Sequence, residues 1–98
     1  EIIDTFPYKP RSARPHILIV APPLCIAPEG NAPPGGRDPA EFRLLAPLFR
    51  ALAEQTGCGF FDAATVVNPS PVDGVHLEAE ETAILGRALA AQVRALLD

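Results

Sequence analysis

Methionine and tryptophan are absent from the 98-residue sequence, and cysteine occurs only twice, as Cys25 and Cys58. The two cysteines lie far apart and form no CxxC pair, and no cluster of cysteine and histidine accompanies them. A zinc site built on cysteine is therefore not expected. Two scattered cysteines are typical of a reduced intracellular protein, although a single disulfide between them is compatible with the sequence.

A run of basic residues is also missing, and so is a long apolar segment. The net charge is −4 and the pI about 5.0, which makes nucleic acid and anionic membrane surfaces poor partners. No apolar stretch approaches the roughly 18 residues that span a bilayer, and the sequence does not start like a secretory signal. We therefore expect a cytoplasmic protein. The 48% apolar content is high enough for a packed core.

The absence of methionine bears on whether the sequence is a complete translation product. A primary translation product starts with methionine, and the bulky Glu1 would ordinarily keep that methionine in place. We therefore expect the sequence to be a piece of a longer polypeptide. Removal of a purification tag is the simpler alternative explanation of the same start.

A continuous apolar run, HILIVA at residues 16–21, follows a proline-containing linker at 9–15. Such β-branched runs are typical of strands buried on both faces of a parallel sheet. Residues 22–37, PPLCIAPEGNAPPGGR, then form a loop at the carboxyl end of this strand. Ligands bind at that edge of open α/β sheets, so we expect the loop to border a pocket. A passive surface loop is the alternative.

A helix is predicted after this loop. Asp38 suits the N-cap, Pro39 the first helical position and Glu41 the third, and Gly57 is a natural stop. Pro47 lies inside the pattern and is expected to kink the helix or split it. Apolar residues recur at steps of three and four and predict one buried face: Phe42, Leu45, Phe49 and Leu52.

The remaining segments predict a second strand and a final helix. Residues 59–63, GFFDA, have the pattern of a short strand, so that strand, helix and strand form a right-handed βαβ unit with parallel pairing. Residues 64–75 are rich in turn signals, and the last helix is expected over 77–97, with glutamates in its first turn. Its predicted buried stripe comprises Leu85, Leu89, Val93 and Leu96.

Two strands are too few for a parallel sheet. Such sheets occur almost only with several strands and with helices on both faces. The HILIVA strand needs a neighbour on each edge, and the sequence offers one at most. The other strands are therefore expected to come from outside these 98 residues.

The strongest chemical signal is the segment Asp73-Gly74-Val75-His76-Leu77, between a turn and a helix start. A turn followed by a helical turn can bring side chains three residues apart close together. Asp73 could then accept a hydrogen bond from Nδ1 of His76, which would fix the tautomer and leave Nε2 free as a general base. In the simpler interpretation, Asp73-Gly74 is only a turn and His76 an ordinary residue at a helix start.

Three other polar residues are weaker candidates. His16 precedes a strand and is expected at the surface. Asp62 ends the second strand near the expected active edge, where it could orient a neighbour, although capping of the next turn is the better expectation. Cys25 follows the first strand, and without a basic neighbour to lower its pKa we expect a buried, unreactive thiol.

The C-terminal segment PVDGVHLEAEETAILGRALAAQVRALL resembles the last block of the SGNH, or GDSL, hydrolases. HILIVAPP, the proline- and glycine-rich loop, LFRALAEQTG and GFFDA resemble the segments that precede this block. The resemblance is closest to arylesterase-like and acyltransferase-like members. It implies an α/β fold with a three-layer, flavodoxin-like parallel sheet, of which residues 1–98 are the C-terminal βαβα half of a single domain.

The resemblance also implies a function. In that family an Asp-x-x-His pair supplies two members of a Ser-His-Asp triad. The resemblance therefore implies that Asp73 orients His76 and that His76 acts as the base. The enzyme would be a serine esterase of small carboxylic esters, or an acyltransferase. Neither a metal nor an organic cofactor is required. The Gly-Asp-Ser-Leu block with the nucleophile and the blocks with the oxyanion donors are absent from this sequence. The serines and asparagines that could be considered for these roles do not lie in matching sequence blocks: Ser12, Ser70, Asn31 and Asn68.

The implied partners are an N-terminal portion of the same hydrolase, which carries the serine, and a small ester substrate. Nucleic acid and membranes are not expected, and a homo-oligomer is compatible with the sequence. Two alternatives stay open: a non-catalytic, esterase-like binding module, and a metal-dependent hydrolase that uses Asp73, His76 and Glu80.

Overall fold

The computed structural model describes residues 15–27 and 34–98 of the chain. Its elements follow the predicted βαβα order and make an α/β structure. In chain order they are strand β1 (Leu18–Ala21), a 3₁₀ turn (Pro34–Gly36), helix α1 (Pro39–Thr56), strand β2 (Gly59–Asp62), a second 3₁₀ turn (Ala63–Thr65) and helix α2 (Ala79–Leu97). No helix within the described ranges is long and apolar enough for a membrane crossing.

The two strands pair in parallel, as the βαβ pattern predicts. Leu18 lies opposite Gly59 in the register, and Ile19 lies opposite Phe60. Because side chains alternate between the faces of a strand, residues 59 and 60 face opposite sides of the sheet.

Helices α1 and α2 cover opposite faces of this sheet. The guanidinium of Arg50, on α1, lies 4.7 Å from the centre of the Phe60 ring. A Cβ added at Gly59 would lie 3.1 Å from Leu96 on α2 and 3.2 Å from Leu18. Gly59 therefore faces α2 and Phe60 faces α1, which gives the expected three layers.

Helix α1 begins and ends where the sequence predicts. Asp38 is its N-cap, with Oδ1 accepting a hydrogen bond from the N–H of Ala40 at 2.9 Å, and Gly57 ends it with a φ of 72° in the left-handed region. Pro47 was predicted to kink this helix or to split it. The helix is continuous through Pro47, so the split does not occur. Pro47 is exposed, and one missing N–H there is offset by the packing of the flanking turns against the sheet.

The other boundaries differ from the prediction by one or two residues. Strand β1 begins at Leu18 rather than residue 16. Strand β2 ends at Asp62 because its carboxylate caps the following turn, with Oδ1 accepting from the N–H of Ala64 at 3.0 Å. Helix α2 begins at Ala79 rather than residue 77, because Glu78 still has extended backbone angles, φ −69° and ψ 163°.

The core within the described residues consists of small side chains contributed by β1 and the loop after it, by α1 and by the segment after β2. Its fully buried apolar members are Ala21, Cys25, Ala53, Ala63 and Val67. Helix α2 has no buried residue. Its predicted stripe is half-buried except at Val93, which is 44% exposed, because two strands offer a narrow surface to a helix.

The two flanks of α1 differ in chemistry. On the β2 side, Arg43, Arg50 and Glu54 line an open cleft of about 470 Å³ together with Asp62. The opposite flank, which therefore lies on the β1 side, carries a row of leucines at steps of four residues. Leu44, Leu48 and Leu52 are 61%, 63% and 47% exposed, so the prediction that Leu52 belongs to the buried face is wrong. Ala53 occupies that face instead.

Candidate functional site

The loop between β2 and α2 brings the predicted pair together. Oδ2 of Asp73 lies 2.5 Å from Nδ1 of His76. The second carboxylate oxygen, Oδ1, accepts hydrogen bonds from the backbone N–H groups of Val75 and His76, each at 2.9 Å. Three donors therefore converge on one carboxylate, as expected for an aspartate that starts a turn and orients a histidine.

Gly74 makes this turn sterically accessible. Its φ is +73°, in the left-handed region that residues with a Cβ rarely adopt. This conformation folds the chain back, so that the N–H groups of Val75 and His76 both reach Asp73. The Asp-Gly dipeptide of the sequence is thus part of the site and not only a generic turn.

The two side chains differ in their access to solvent. The Asp73 side chain is 28% exposed and that of His76 is 82% exposed. Nδ1 of His76 is held by Asp73, and Nε2 has no hydrogen-bond partner within residues 15–27 and 34–98. The ring is therefore anchored on one nitrogen and open on the other, as a general base requires.

Asp73 is held as a carboxylate. The hydrogen bond from His76, and then those from the backbone N–H groups of Val75 and His76, lower the pKa of Asp73 from 3.8 to about 2. An ionised Asp73 can only accept, so Nδ1 of His76 is the donor and carries the proton. The neutral ring consequently has its free lone pair on Nε2.

The lowered pKa of Asp73 predicts an acid-sensitive contribution to stability. The folded state binds this proton less readily than the unfolded state, so the contribution is present above about pH 4 and is lost as the pH falls toward 2. We expect the difference in unfolding free energy between the full-length protein and its Asp73→Asn variant to shrink across this window. Denaturant titrations at pH 2–5 test this, and a difference that stayed constant would contradict it.

The proline-rich loop after β1 lies against this turn. The N–H of Ile26 donates to the carbonyl oxygen of Gly74 at 2.9 Å. Residues 22–27 therefore leave the same end of the parallel strands as the Asp73–His76 loop, the end at which ligands bind in open α/β sheets. Residues 28–33, with Asn31, lie outside the described residues, as does Ser12. Whether the loop borders a substrate pocket stays a prediction.

The weaker candidates take structural roles or none. His16 is exposed ahead of β1, and Asp62 caps a turn, as expected. Cys25 is buried and Cys58 half-buried, and both are free thiols, so the described structure contains no disulfide between them. A Cβ added at Gly86, on α2, would have no neighbour within 4 Å among the described residues, so close packing does not account for this glycine.

Glu80 does not join the pair in a metal site. Over residues 15–27 and 34–98, no three side chains of histidine, cysteine, aspartate or glutamate come together in a way that could hold a metal ion. The alternative of a metal-dependent hydrolase built on Asp73, His76 and Glu80 therefore has no support in this part of the chain.

Sequence reasoning missed two residues that support the loop. Ser70 is only 5% exposed, and its hydroxyl donates to Oε1 of Glu78 at 2.5 Å. The same hydroxyl accepts from the N–H of Val72 at 3.1 Å. A serine hydroxyl that accepts from the backbone N–H two residues further on is a known turn motif, whereas the pairing with Glu78 depends on tertiary structure.

Three solved structures are similar to this chain. One is a protein from Agrobacterium tumefaciens strain C58 described as an arylesterase, with 58% identity and a TM-score of 0.90 over 97% of this chain and 46% of that one. A carbohydrate acetylesterase family member from Sinorhizobium meliloti has 37% identity and a TM-score of 0.85 over 98% and 46%. The M. smegmatis aryl esterase has 35% identity and a TM-score of 0.72 over 85% and 40%.

The chain thus spans less than half the length of each of these structures. Neither the protein-family models nor the curated proteins give a significant match. In the first two structures the similarity nevertheless covers 97% and 98% of this chain, and so extends over both strands, both helices and the loop that holds Asp73 and His76. On this basis the chain belongs to the SGNH hydrolase family, among its arylesterase- and acetylesterase-like members.

Proposed function

We propose that this chain supplies the histidine and aspartate of a Ser-His-Asp triad in a serine esterase, and that the serine lies in a part of the protein outside residues 1–98. The observation that carries the proposal is the 2.5 Å contact between Oδ2 of Asp73 and Nδ1 of His76, with Oδ1 fixed by two backbone N–H groups. This geometry orients an imidazole and leaves Nε2 available, which is the arrangement that activates a serine.

The reaction would proceed in two halves. Nε2 of His76 takes the proton of the serine hydroxyl as the serine oxygen attacks the ester carbonyl, and the same nitrogen returns that proton to the departing alcohol. Water, or a second alcohol in acyl transfer, then attacks the acyl-enzyme with the same help from His76. Asp73 stabilises the imidazolium that forms in each half and keeps its own negative charge throughout, in agreement with a pKa of about 2.

Two features of α1 and the sheet support a position for the remaining portion that we propose. Within the described residues, β1 pairs only with β2, so its other edge carries unpaired N–H and C=O groups. The exposed row of Leu44, Leu48 and Leu52 lies on the same side. The opposite side, beyond β2, is bordered by charged residues. The remaining strands would therefore add beside β1, and their covering helices would pack on the leucine row.

The substrates we propose are acetyl esters with an aromatic or a sugar alcohol as the leaving group. This class combines the substrate types in the names of the related aryl esterases and carbohydrate acetylesterases.

The test is turnover of p-nitrophenyl acetate and of an acetylated sugar by the full-length protein. A serine-directed fluorophosphonate should label one residue outside 1–98, located by mass spectrometry. Absence of turnover, or labelling of Ser12 or Ser70, would contradict the proposal.

A histidine base also predicts a pH profile. A protonated imidazole cannot accept the serine proton. We therefore expect kcat/KM of the full-length protein to rise with pH through an acidic limb that depends on His76. The matched control is the residual rate of the His76→Ala variant, which should lack the limb. A wild-type rate that is flat between about pH 5 and 8 would argue against a histidine base.

A further inference from the structure

We infer that Ser70 and Glu78 form a clamp that positions the Asp73–His76 pair for catalysis, an inference that rests on the function proposed above. Neither side chain takes part in the triad itself. Ser70 forms hydrogen bonds with both ends of the loop that carries the pair, and Glu78 connects this loop to helix α2 through a hydrogen bond with Ser70. Both therefore act as positioning residues for His76.

The backbone of Ser70 holds the loop on both sides of Asp73. Its carbonyl oxygen accepts from the N–H of Gly74 at 2.7 Å, and its N–H donates to the carbonyl oxygen of His76 at 2.6 Å. Its hydroxyl oxygen also accepts from the N–H of Val72 at 3.1 Å. Residues 70–76 thus form a closed turn around the aspartate, and the backbone of His76 is held at Ser70 while its ring is held at Asp73.

The side chains connect this turn to the helix that follows. The Ser70 hydroxyl donates to Oε1 of Glu78 at 2.5 Å. Glu78 is the N-cap residue of α2, and its side chain makes no capping bond, so its carboxylate is available to Ser70. Its carbonyl oxygen accepts from the N–H of Thr82 at 2.9 Å as part of the helix. The backbone of Glu78 is therefore hydrogen-bonded within the helix, while its side chain is hydrogen-bonded to the loop that carries Asp73 and His76.

Burial of Ser70 limits the access of water to its hydroxyl. Ser70 is 5% exposed, and its hydroxyl has one donor and one acceptor contact in use. Loss of the Glu78 carboxylate would leave a nearly buried hydroxyl without its acceptor, which favours a shift of the loop. Among the described residues, the exposed His76 ring is otherwise held only by Asp73. Movement of residues 70–76 relative to α2 would therefore move Nε2 relative to the serine.

The test measures kcat and KM for p-nitrophenyl acetate in the full-length protein. Displacement of a catalytic group by about 1 Å costs on the order of a hundredfold in rate. We expect Ser70→Ala and Glu78→Ala each to lower kcat by about ten- to a hundredfold with KM changed less than about threefold. Glu78→Gln keeps an acceptor oxygen and should recover most of the rate. The double variant Ser70→Ala/Glu78→Ala should lose little more than Ser70→Ala, because the Ser70–Glu78 contact is already absent in that variant.

Glu80→Ala is the matched control. Glu80 is an exposed glutamate in the first turn of the same helix, and its removal alters the charge at the helix terminus as Glu78→Ala does without touching the loop. Unchanged kcat in Glu80→Ala, together with loss in Glu78→Ala, would support the clamp. Because Glu78 is exposed, its truncation opens no cavity, so Glu78→Ala carries the test if Ser70→Ala fails to fold.

The same assay separates this inference from the proposed function. If His76→Ala is inactive while Glu78→Ala and Ser70→Ala keep wild-type kcat, the clamp is refuted and the triad stands. Equal losses in Glu78→Ala and Glu80→Ala would also refute it, because a helix-terminal charge would then account for the effect. If His76→Ala itself keeps wild-type turnover, the proposed function fails.

Discussion

Replacing His76 with alanine in the full-length protein should lower kcat/KM for p-nitrophenyl acetate by about four to six powers of ten, because loss of a triad base removes proton transfer from both halves of the reaction. His76 is 82% exposed and packs in no core, so the variant should fold normally. Steady-state kinetics with a wild-type circular dichroism spectrum would establish both points together. A correctly folded His76→Ala variant with near wild-type turnover would remove the basis of the proposed triad.

Asp73→Asn should leave more activity than His76→Ala, at a loss of about three to four powers of ten. Asparagine keeps the size of the side chain and can present one oxygen to the loop N–H groups, but it loses the charge that stabilises the imidazolium, and its amide cannot hold Nδ1 as a carboxylate does. His16→Ala is the control for both variants. His16 is also an exposed histidine, but it precedes β1. It therefore lies at the amino end of the strands, whereas the catalytic loop lies at their carboxyl end. Its removal should leave kcat and KM unchanged.

The Asp73–His76 contact could be predicted from the sequence because it is local. Only three positions separate the two residues, and Gly74 supplies the left-handed conformation that the turn requires. The N-cap at Asp38 and the stop at Gly57 were predictable for the same reason. Such features depend on the backbone geometry of a few consecutive residues and on little else.

Features that depend on tertiary packing were less predictable. The Ser70–Glu78 hydrogen bond spans eight positions and forms only once the loop folds back against α2. Leu52 fits the three- and four-residue spacing of the core face, yet it is 47% exposed, because the sheet below α1 has two strands in the described residues. Pro47 is a second example in which packing overrides a local rule. Proline is expected to kink or split a helix, but the helix continues through Pro47 because its neighbouring turns pack against the sheet.

Residues 1–98 expressed alone should be inactive and molten or aggregated, and addition of the remaining part of the protein should restore ester hydrolysis. Within residues 15–27 and 34–98, the unpaired edge of β1 and the exposed leucine row both lie on one side of the βαβ unit. Two parallel strands also bury little surface on their own. We expect binding of a hydrophobic dye, no near-ultraviolet circular dichroism signal and no cooperative unfolding transition. Activity should appear only in the mixture, since the proposed serine is in the added part.

A matched pair of substitutions on α1 tests where that part docks. Leu48→Lys places a charge in the middle of the leucine row, where burial against the other portion would desolvate it, so we expect the concentration that gives half-maximal reconstituted activity to rise by about tenfold or more. Glu54→Lys places the same residue on the charged flank beside β2 and should leave that concentration unchanged. Equal effects of the two substitutions would refute docking on the β1 side. A 98-residue chain that is monomeric, unfolds cooperatively and hydrolyses esters by itself would overturn the division of the triad, because every catalytic group would then lie within this chain.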